Sequence, residues 1–556
     1  MKRRPEGNLV PIARAGPAKS PRAPLPVGEA RGIALVSADE MRRLDRLTIE
    51  QYGVPGHVLM ERAGAGATRA LLDLFPHVRR RGRRVLIVAG KGNNGGDGFV
   101  IGRLLRRRNI AVDVVLLARA ADVTGDAARM LRAYRKGSAP LREVTATGAL
   151  GELADRLEGA DLVVDAILGT GLNTDVRGLL REAIELINAA GVPVLAVDIP
   201  SGLSADTGLP LGTAIQAEAT ATFAFAKIGH ALHPGVQLTG TLAVIDIGIA
   251  AQAIAQHPPQ TVLLDAGAVA GLVPLRAPDT HKGDCGHVLV IAGSFGKTGA
   301  AQLAARAALR VGAGLVTVVG PALLYSIYAG NVLEAMTDVL PDTDGRIRFD
   351  EGQLRALVEH KTAVVVGPGI GTHDDARRIV AWLLQHAAVP VVVDADALTC
   401  LASDLTLLDG ARVPTILTPH PGEMARLLGT DTAAVQADRV GHARQFAVAH
   451  RCVLVLKGAR TVIAASSGQA WINPTGNPGM ASGGMGDVLA GILGGLLAQR
   501  LEPSEAARLG VYLHGAAADR VAAASGEIGM IASDLLSELP ATLHALGRQP
   551  PAVADD

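Results

Sequence analysis

Cysteine is nearly absent. Cys285, Cys400 and Cys452 are the only three in 556 residues, and no Cys-x-x-Cys pair occurs. That argues against a disulfide framework and a cysteine zinc site, and it fits a reducing compartment; the cytoplasm is expected. An excess of one charge is lacking too: 54 Lys and Arg face 53 Asp and Glu, so charge calls for no nucleic-acid partner. No apolar run approaches the ~18–20 residues that a membrane helix needs. Aromatic residues make up only 3%, whereas glycine reaches 66 residues and the hydrophobic share is 49%. Small residues with ample apolar ones suit close helix–strand layers, and the length exceeds one core.

Residues 1–34 hold seven Lys or Arg against two Glu, with six prolines and no hydrophobic period. This predicts a disordered basic tail. Short apolar runs at 84–89, 112–116, 162–167, 194–199 and 242–247 read as buried parallel strands, several separated by helical stretches. A stretch weak in periodicity, 251–274, predicts a linker between domains at 35–250 and 275–546, with a tail at 547–556. The second domain repeats the pattern, with runs at 288–292, 315–319, 363–366, 391–393, 415–417 and 453–456. The expected fold is α/β, each domain a mainly parallel sheet with helices on both faces.

Ligands of such sheets sit outside the strands' carboxyl ends, and three polar loops fall there in the first domain. The loop 90–98 matches a dinucleotide fingerprint at Gly90, Gly92 and Gly95, but the acid expected at the end of the next strand is missing. Asn93, Asn94 and Asp97 also add side-chain oxygens that a bare pyrophosphate cradle does not need. The loops 165–175 and 198–202 each begin with an aspartate. Asn94, Asp165 and Ser201 together offer hard oxygen ligands suited to an alkali or alkaline-earth ion, although capping and turn chemistry explains each loop singly.

Residues 38–249 resemble the NAD(P)H-hydrate epimerase family through Asn-Asn-Gly-Gly-Asp-Gly at 93–98, Gly-Thr-Gly-Leu at 169–172 and Asp-Ile-Pro-Ser-Gly at 198–202. The resemblance implies a Rossmann-like domain in which Asn93, Asn94, Gly95, Gly96 and Asp97 hold the hydrated nucleotide. Gly169, Thr170, Gly171, Leu172, Asn173, Thr174, Asp175 and Asp198 would complete that site. It also implies potassium on Asn94, Asp165 and Ser201, with Asp198 moving or orienting a proton at carbon six. Lys227 is either its cationic partner or a solvated strand-end lysine.

In the second domain Gly483-Gly484-Met485-Gly486-Asp487 runs straight into an apolar helix. Glycine allows close backbone approach, and free amides of a first helical turn attract anions. Thr418-Pro-His-Pro-Gly-Glu423 and Lys457-Gly-Ala-Arg-Thr461 close two further strand ends. With these motifs, residues 275–545 resemble the ribokinase-like fold, and within it the ADP-dependent NAD(P)H-hydrate dehydratases. Ser482 stands where that family more often has threonine. The resemblance places Ala300, Gly369, His420 and Asp487 on the hydrate, and Lys457, Gly458, Ala459, Arg460, Thr461 and Gly486 on the nucleotide. Asp487 is the implied catalytic base, ADP the phosphoryl donor, magnesium its companion, and NADH and NADPH hydrates the substrates. A homo-oligomer is expected. A small-molecule kinase of the same fold would keep the same helix start.

Overall fold

The computed structural model describes residues 13–14, 32–136 and 139–548. The two tails lie almost wholly outside the described residues. The exceptions in the first are Ala13–Arg14, which pairs in parallel with strand 241–245, and the chain from Gly32 onward. The described chain forms two compact units that divide between Gln260 and Thr261, with the short stretch ending at Ile33 grouped with the second.

The first unit is built on strands β1 (Arg84–Ala89), β2 (Ala111–Leu116), β3 (Arg142–Glu143), β4 (Leu162–Ala166), β5 (Val194–Val197), β6 (Ala219–Phe223) and β7 (Thr241–Ile245). Their order is β7-β6-β5-β4-β1-β2-β3, all parallel. Val85, Ile87 and Ala89 enter one core while Leu86 and Val88 enter another on the opposite face. Both faces of the strand are thus covered, which is why the run is apolar without alternation. Strand order reverses between β1 and β4, the switch point where doubly wound sheets open a crevice. β6 escapes sequence reading because its Ala-Thr-Ala-Thr-Phe alternates like a half-solvated strand. Its threonines are buried and bonded instead: Thr220 Oγ1 donates to the Thr239 carbonyl at 2.7 Å, and Thr222 Oγ1 to Asp198 at 3.2 Å.

One expected loop is a helix. Asn93–Arg106 is helical from its first asparagine, so Asn93–Gly98 is not a free glycine loop. A Cβ at Gly95 would collide with the Gly90 carbonyl, and one at Gly98 would lie 2.7 Å from the Ala166 Cβ. These glycines let the helix press onto the loop and the sheet.

The second unit carries β8 (Thr261–Leu263), β9 (His287–Ile291), β10 (Leu315–Pro321), β11 (Met336–Leu340), β12 (Ala363–Val366), β13 (Val391–Val393), β14 (Thr415–Leu417), β15 (Val453–Leu456), β16 (Val462–Ala464) and β17 (Ala470–Ile472). Their order is β11-β10-β9-β12-β13-β14-β15-β16-β17-β8. Pairing is parallel from β11 to β15, antiparallel through β16 and β17, and parallel again at β8. The stretch expected as a linker carries helix Ala251–Gln256, strand β8 and helix Ala266–Ala270.

Helix Met485–Ala498 buries almost every residue after its first turn. Each buried Leu, Ile or Val there is worth about 1.5–3 kcal/mol. It packs on helix Thr298–Arg310 so closely that a Cβ at Gly491 would collide with the Ala304 carbonyl. No helix among the described residues is long and apolar enough to cross a membrane.

Candidate functional site

In the first unit a cleft of about 1060 Å³ opens at the carboxyl edge of the sheet. Asn93, Asn94 and Asp97 line it from the helix after β1, Gly169–Thr174 from the segment after β4, and Asp198 and Lys227 from beyond β5 and β6. Asp175 is not among the lining residues, and Gly95 and Gly96 turn their α-carbons towards Gly90 and Met60.

Asp198 sits at φ 66°, a left-handed conformation that aspartate tolerates better than most residues. That turn sets its carboxylate on Lys227, whose Nζ donates to Asp198 Oδ1 at 2.6 Å, to Thr222 Oγ1 at 2.8 Å and to the Phe223 and Phe225 carbonyls at 3.1 Å. Lys227 is fully buried, so the solvated-lysine alternative falls. Two further carboxylates, Asp45 and Asp97, interact with this pair. Burial pushes Asp45 up to about 6, with Lys227 lowering and Asp198 raising it. Burial, then Asp198 and Asp45, hold Asp97 well above the usual carboxylate range. Asp45 and Asp97, both raised, can hold and release protons beside the Lys227–Asp198 pair.

Asp165 ends β4 fully buried, and burial raises it to about 6 against three hydrogen bonds. Ser201 supplies two of them, from N at 2.8 Å and from Oγ at 2.5 Å, and the Ile167 amide the third at 3.2 Å. Asn94 Nδ2 donates to the Leu168 carbonyl at 2.8 Å, whereas its Oδ1 is buried with no partner. Asn94 and Ser201 thus meet at the Leu168 carbonyl beside Asp165, which no cationic side chain pairs among the described residues, a set that fits a hard cation.

In the second unit Gly484 caps helix Met485–Ala498 at φ 88°, where a side chain would be strained. Asp487 follows in the first turn. Burial, then the charge of Asp394, push it up to about 6 against the pull of Lys457. Lys457 Nζ donates to Asp394 Oδ1 at 2.8 Å and lies 3.8 Å from Glu423 Oε2. Burial opposes its charge, but Asp394 and Glu423 outweigh burial and hold its pKa above the ordinary value. A Cβ at Gly486 would stand 3.4 Å from that same Nζ, so Lys457 and the helix start meet.

Around them, a Cβ at Gly369 would lie 3.5 Å from the Ala300 Cβ, which brings those two expected hydrate contacts together. His420 caps helix Pro421–Leu428: its Nδ1 accepts from the Gly422 and Glu423 amides at 3.0 and 3.2 Å, and the His420 amide donates to Glu423 Oε2 at 2.8 Å. The segment Lys457–Thr461 is fixed by Arg439, whose guanidinium donates to the Ala459 carbonyl at 2.6 Å and to the Leu456 and Lys457 carbonyls at 3.3 and 3.4 Å. Within it Arg460 adopts φ 59°, and Thr461 Oγ1 donates to the Gly458 carbonyl at 3.0 Å.

Comparison with known proteins gives two family matches. Residues 56–229 match the YjeF-related protein N-terminus, and residues 288–541 match NAD(P)H-hydrate dehydratase. A bifunctional NAD(P)H-hydrate repair enzyme of Moorella thermoacetica is 47% identical over 516 residues, 92% of this chain and 97% of that protein. The chain belongs to the bifunctional NAD(P)H-hydrate repair enzyme family. An Escherichia coli protein of the same description is 37% identical over 504 residues, 90% of this chain and 92% of that protein. A Bacillus subtilis ADP/ATP-dependent NAD(P)H-hydrate dehydratase, crystallised with ATP and Mg2+, is similar at 31% identity and TM-score 0.45, covering 51% of this chain and 98% of that one.

As a member of this family the chain is a bifunctional enzyme, with a dehydratase and an epimerase domain on nucleotide substrates. Asp45 and Arg439 are residues that sequence reasoning missed. Asp45 follows Met41 and Leu44 on helix Ala38–Glu50, and an acid on that buried face was the available signal. Arg439 opens its helix directly after the Asp438 cap and carries no such mark.

Proposed function

We propose that the first domain interconverts the R and S epimers of hydrated NADH and NADPH, and that the second dehydrates the S hydrate at the expense of ADP. The domains are assigned to residues 35–250 and 275–546. Asp487 is the observation that carries the reading. A carboxylate raised to about 6 sits in the first turn of a glycine-started helix, with the Lys457 ammonium beside that turn. Such a group can take a proton near neutral pH while neighbouring amides face a developing anion.

In this mechanism Asp487 accepts the proton of the carbon-six hydroxyl as that oxygen bonds to the terminal phosphorus of ADP and AMP leaves. Lys457 and the amides of Gly484–Gly486 neutralise charge on the transferring group. The carbon-six phosphate then departs, driven by the ring nitrogen, with loss of a carbon-five proton, and the dihydronicotinamide is restored. The products are NAD(P)H, AMP and phosphate. Magnesium, held through the nucleotide's phosphates and water, would neutralise phosphate charge.

In the first domain Asp198, oriented by Lys227, would handle the proton at the carbon-six hydroxyl, with Asp45 and Asp97 as partners in transfer. Asn94 Oδ1, Asp165 and Ser201 would hold potassium, which supplies the counter-charge that Asp165 otherwise lacks.

Absorbance at 340 nm on a mixed-epimer NADH hydrate, with ADP, magnesium and potassium, tests both activities. Full ADP-dependent recovery is expected. Recovery that stalls at the fraction of one epimer would remove the epimerase. A stable phosphorylated product with no restored absorbance would replace dehydration by a kinase reaction.

A further inference from the structure

The cleft of the first domain is longer than its catalytic end requires. Asp198, Lys227, Asp97 and Asp45 occupy one side of the switch point. The lining continues past the helix at Asn93 to Leu117, Arg119 and Thr145, beyond the ends of β2 and β3. In doubly wound sheets a dinucleotide places its pyrophosphate at the first helix N-terminus and its adenosine ribose over the end of the second strand. The reacting half then falls on the far side of the switch point, where Asp198 and Lys227 stand.

An acid at that strand end binds a ribose diol, whereas a nearby arginine accommodates a 2′-phosphate. Here the first residues past β2, Leu117 and Ala118, are apolar, and Arg119 is the first polar side chain. It is exposed, and it has no hydrogen-bond or ion-pair partner among the described residues. Arg42, the other arginine lining this cleft, pairs with Asp39. Asp122 and Asp126 also line the cleft three and seven residues on. A carboxylate in that part of the cleft can accept from the ribose 3′-hydroxyl or the adenine amine.

We propose that Arg119 is a specificity-determining residue of the epimerase, binding the 2′-phosphate of hydrated NADPH and favouring it over hydrated NADH. The inference rests on the epimerase reading and adds the direction in which the substrate lies. Guanidinium suits this task because its planar fork meets phosphate oxygens in pairs.

The test follows epimerisation without ADP, so that the second domain does not act, by chromatographic separation of the R and S forms of each hydrate. For R119Q the KM for NADPH hydrate should rise roughly tenfold to a hundredfold, the scale of a charge-assisted hydrogen bond, with the KM for NADH hydrate within about twofold of wild type. R119K should recover part of the loss. Equal change for both hydrates, or none for either, overturns the assignment. In parallel, the 2′-phosphate 31P resonance of 2′,5′-ADP should broaden with wild-type protein and much less with R119Q; identical broadening also overturns it. Were wild-type protein to epimerise neither hydrate, the epimerase reading would fall, and the 31P titration would still decide whether Arg119 binds the phosphate.

Discussion

Lys227 Nζ stands 2.6 Å from Asp198 Oδ1, with the lysine fully buried and the aspartate side chain 16% exposed. The lysine brings the compensating charge, and the oxygens of Thr222, Phe223 and Phe225 share its other two N–H groups. Removing one partner of such a pair leaves the other uncompensated, at about 3 kcal/mol or more. Lys227→Met should therefore destabilise the first unit by about that amount in urea melts and cut epimerisation by roughly a hundredfold or more. ADP-dependent dehydration of the pure S hydrate should persist. Loss of both activities would show that the two units do not act independently.

Asp487→Asn is expected to abolish dehydration and leave epimerisation intact, because only the second site loses its base. The same change should stabilise the fold at neutral pH. A folded-state value near 6, above the ordinary 3.8, means that folding disfavours the charged form. The penalty is absent below about pH 3.8, grows up to about 6 and is complete above. Removing it is worth about 1–2 kcal/mol, seen as a higher melting temperature at pH 7.5 but not at pH 3.5. An unchanged melting temperature at pH 7.5 would count against the burial of Asp487.

Dehydration should lose rate as pH falls. With Asp487 at about 6, kcat/KM at saturating ADP should climb through that region and level off towards pH 8. Lys457→Ala removes the charge that lowers Asp487, so the midpoint should move upward by about one unit. A midpoint that stays in place would detach Lys457 from the base.

Potassium should stabilise the first unit specifically. Asp165 carries the same sign of penalty, since its value of about 6 lies above the ordinary 3.8, and a cation beside it favours the charged form. Against lithium chloride at equal ionic strength, potassium chloride should raise the melting temperature by about 2–5 °C and accelerate epimerisation. Asp165→Asn should erase both effects. Equal responses to the two salts would leave the oxygen cluster as turn chemistry.

Much of this was legible in the chain. Strand Ala363–Val366, and Arg84–Ala89 after its exposed first residue, are apolar without alternation because both faces are buried. The short strands Val462–Ala464 and Ala470–Ile472 were not, since three residues carry no period to detect. At the sites, aspartates ending a strand announced themselves at Asp165 and Asp198. Asp45 did not, because its role comes from what lies across the cleft rather than from its neighbours in sequence. Asn93–Gly98 misled in the opposite way: glycines that read as a loop belong to a helix pressed against the sheet.

Arg439 has a kinetic consequence. By bonding the Leu456, Lys457 and Ala459 carbonyls, it holds the segment expected to meet the nucleotide through contacts that need no nucleotide. Association should then proceed in one step, with an observed rate linear in ADP concentration and no plateau from a preceding rearrangement. The substitution Arg439→Ala should introduce that plateau, turning an encounter limited by collision into one that waits for the chain to arrange itself.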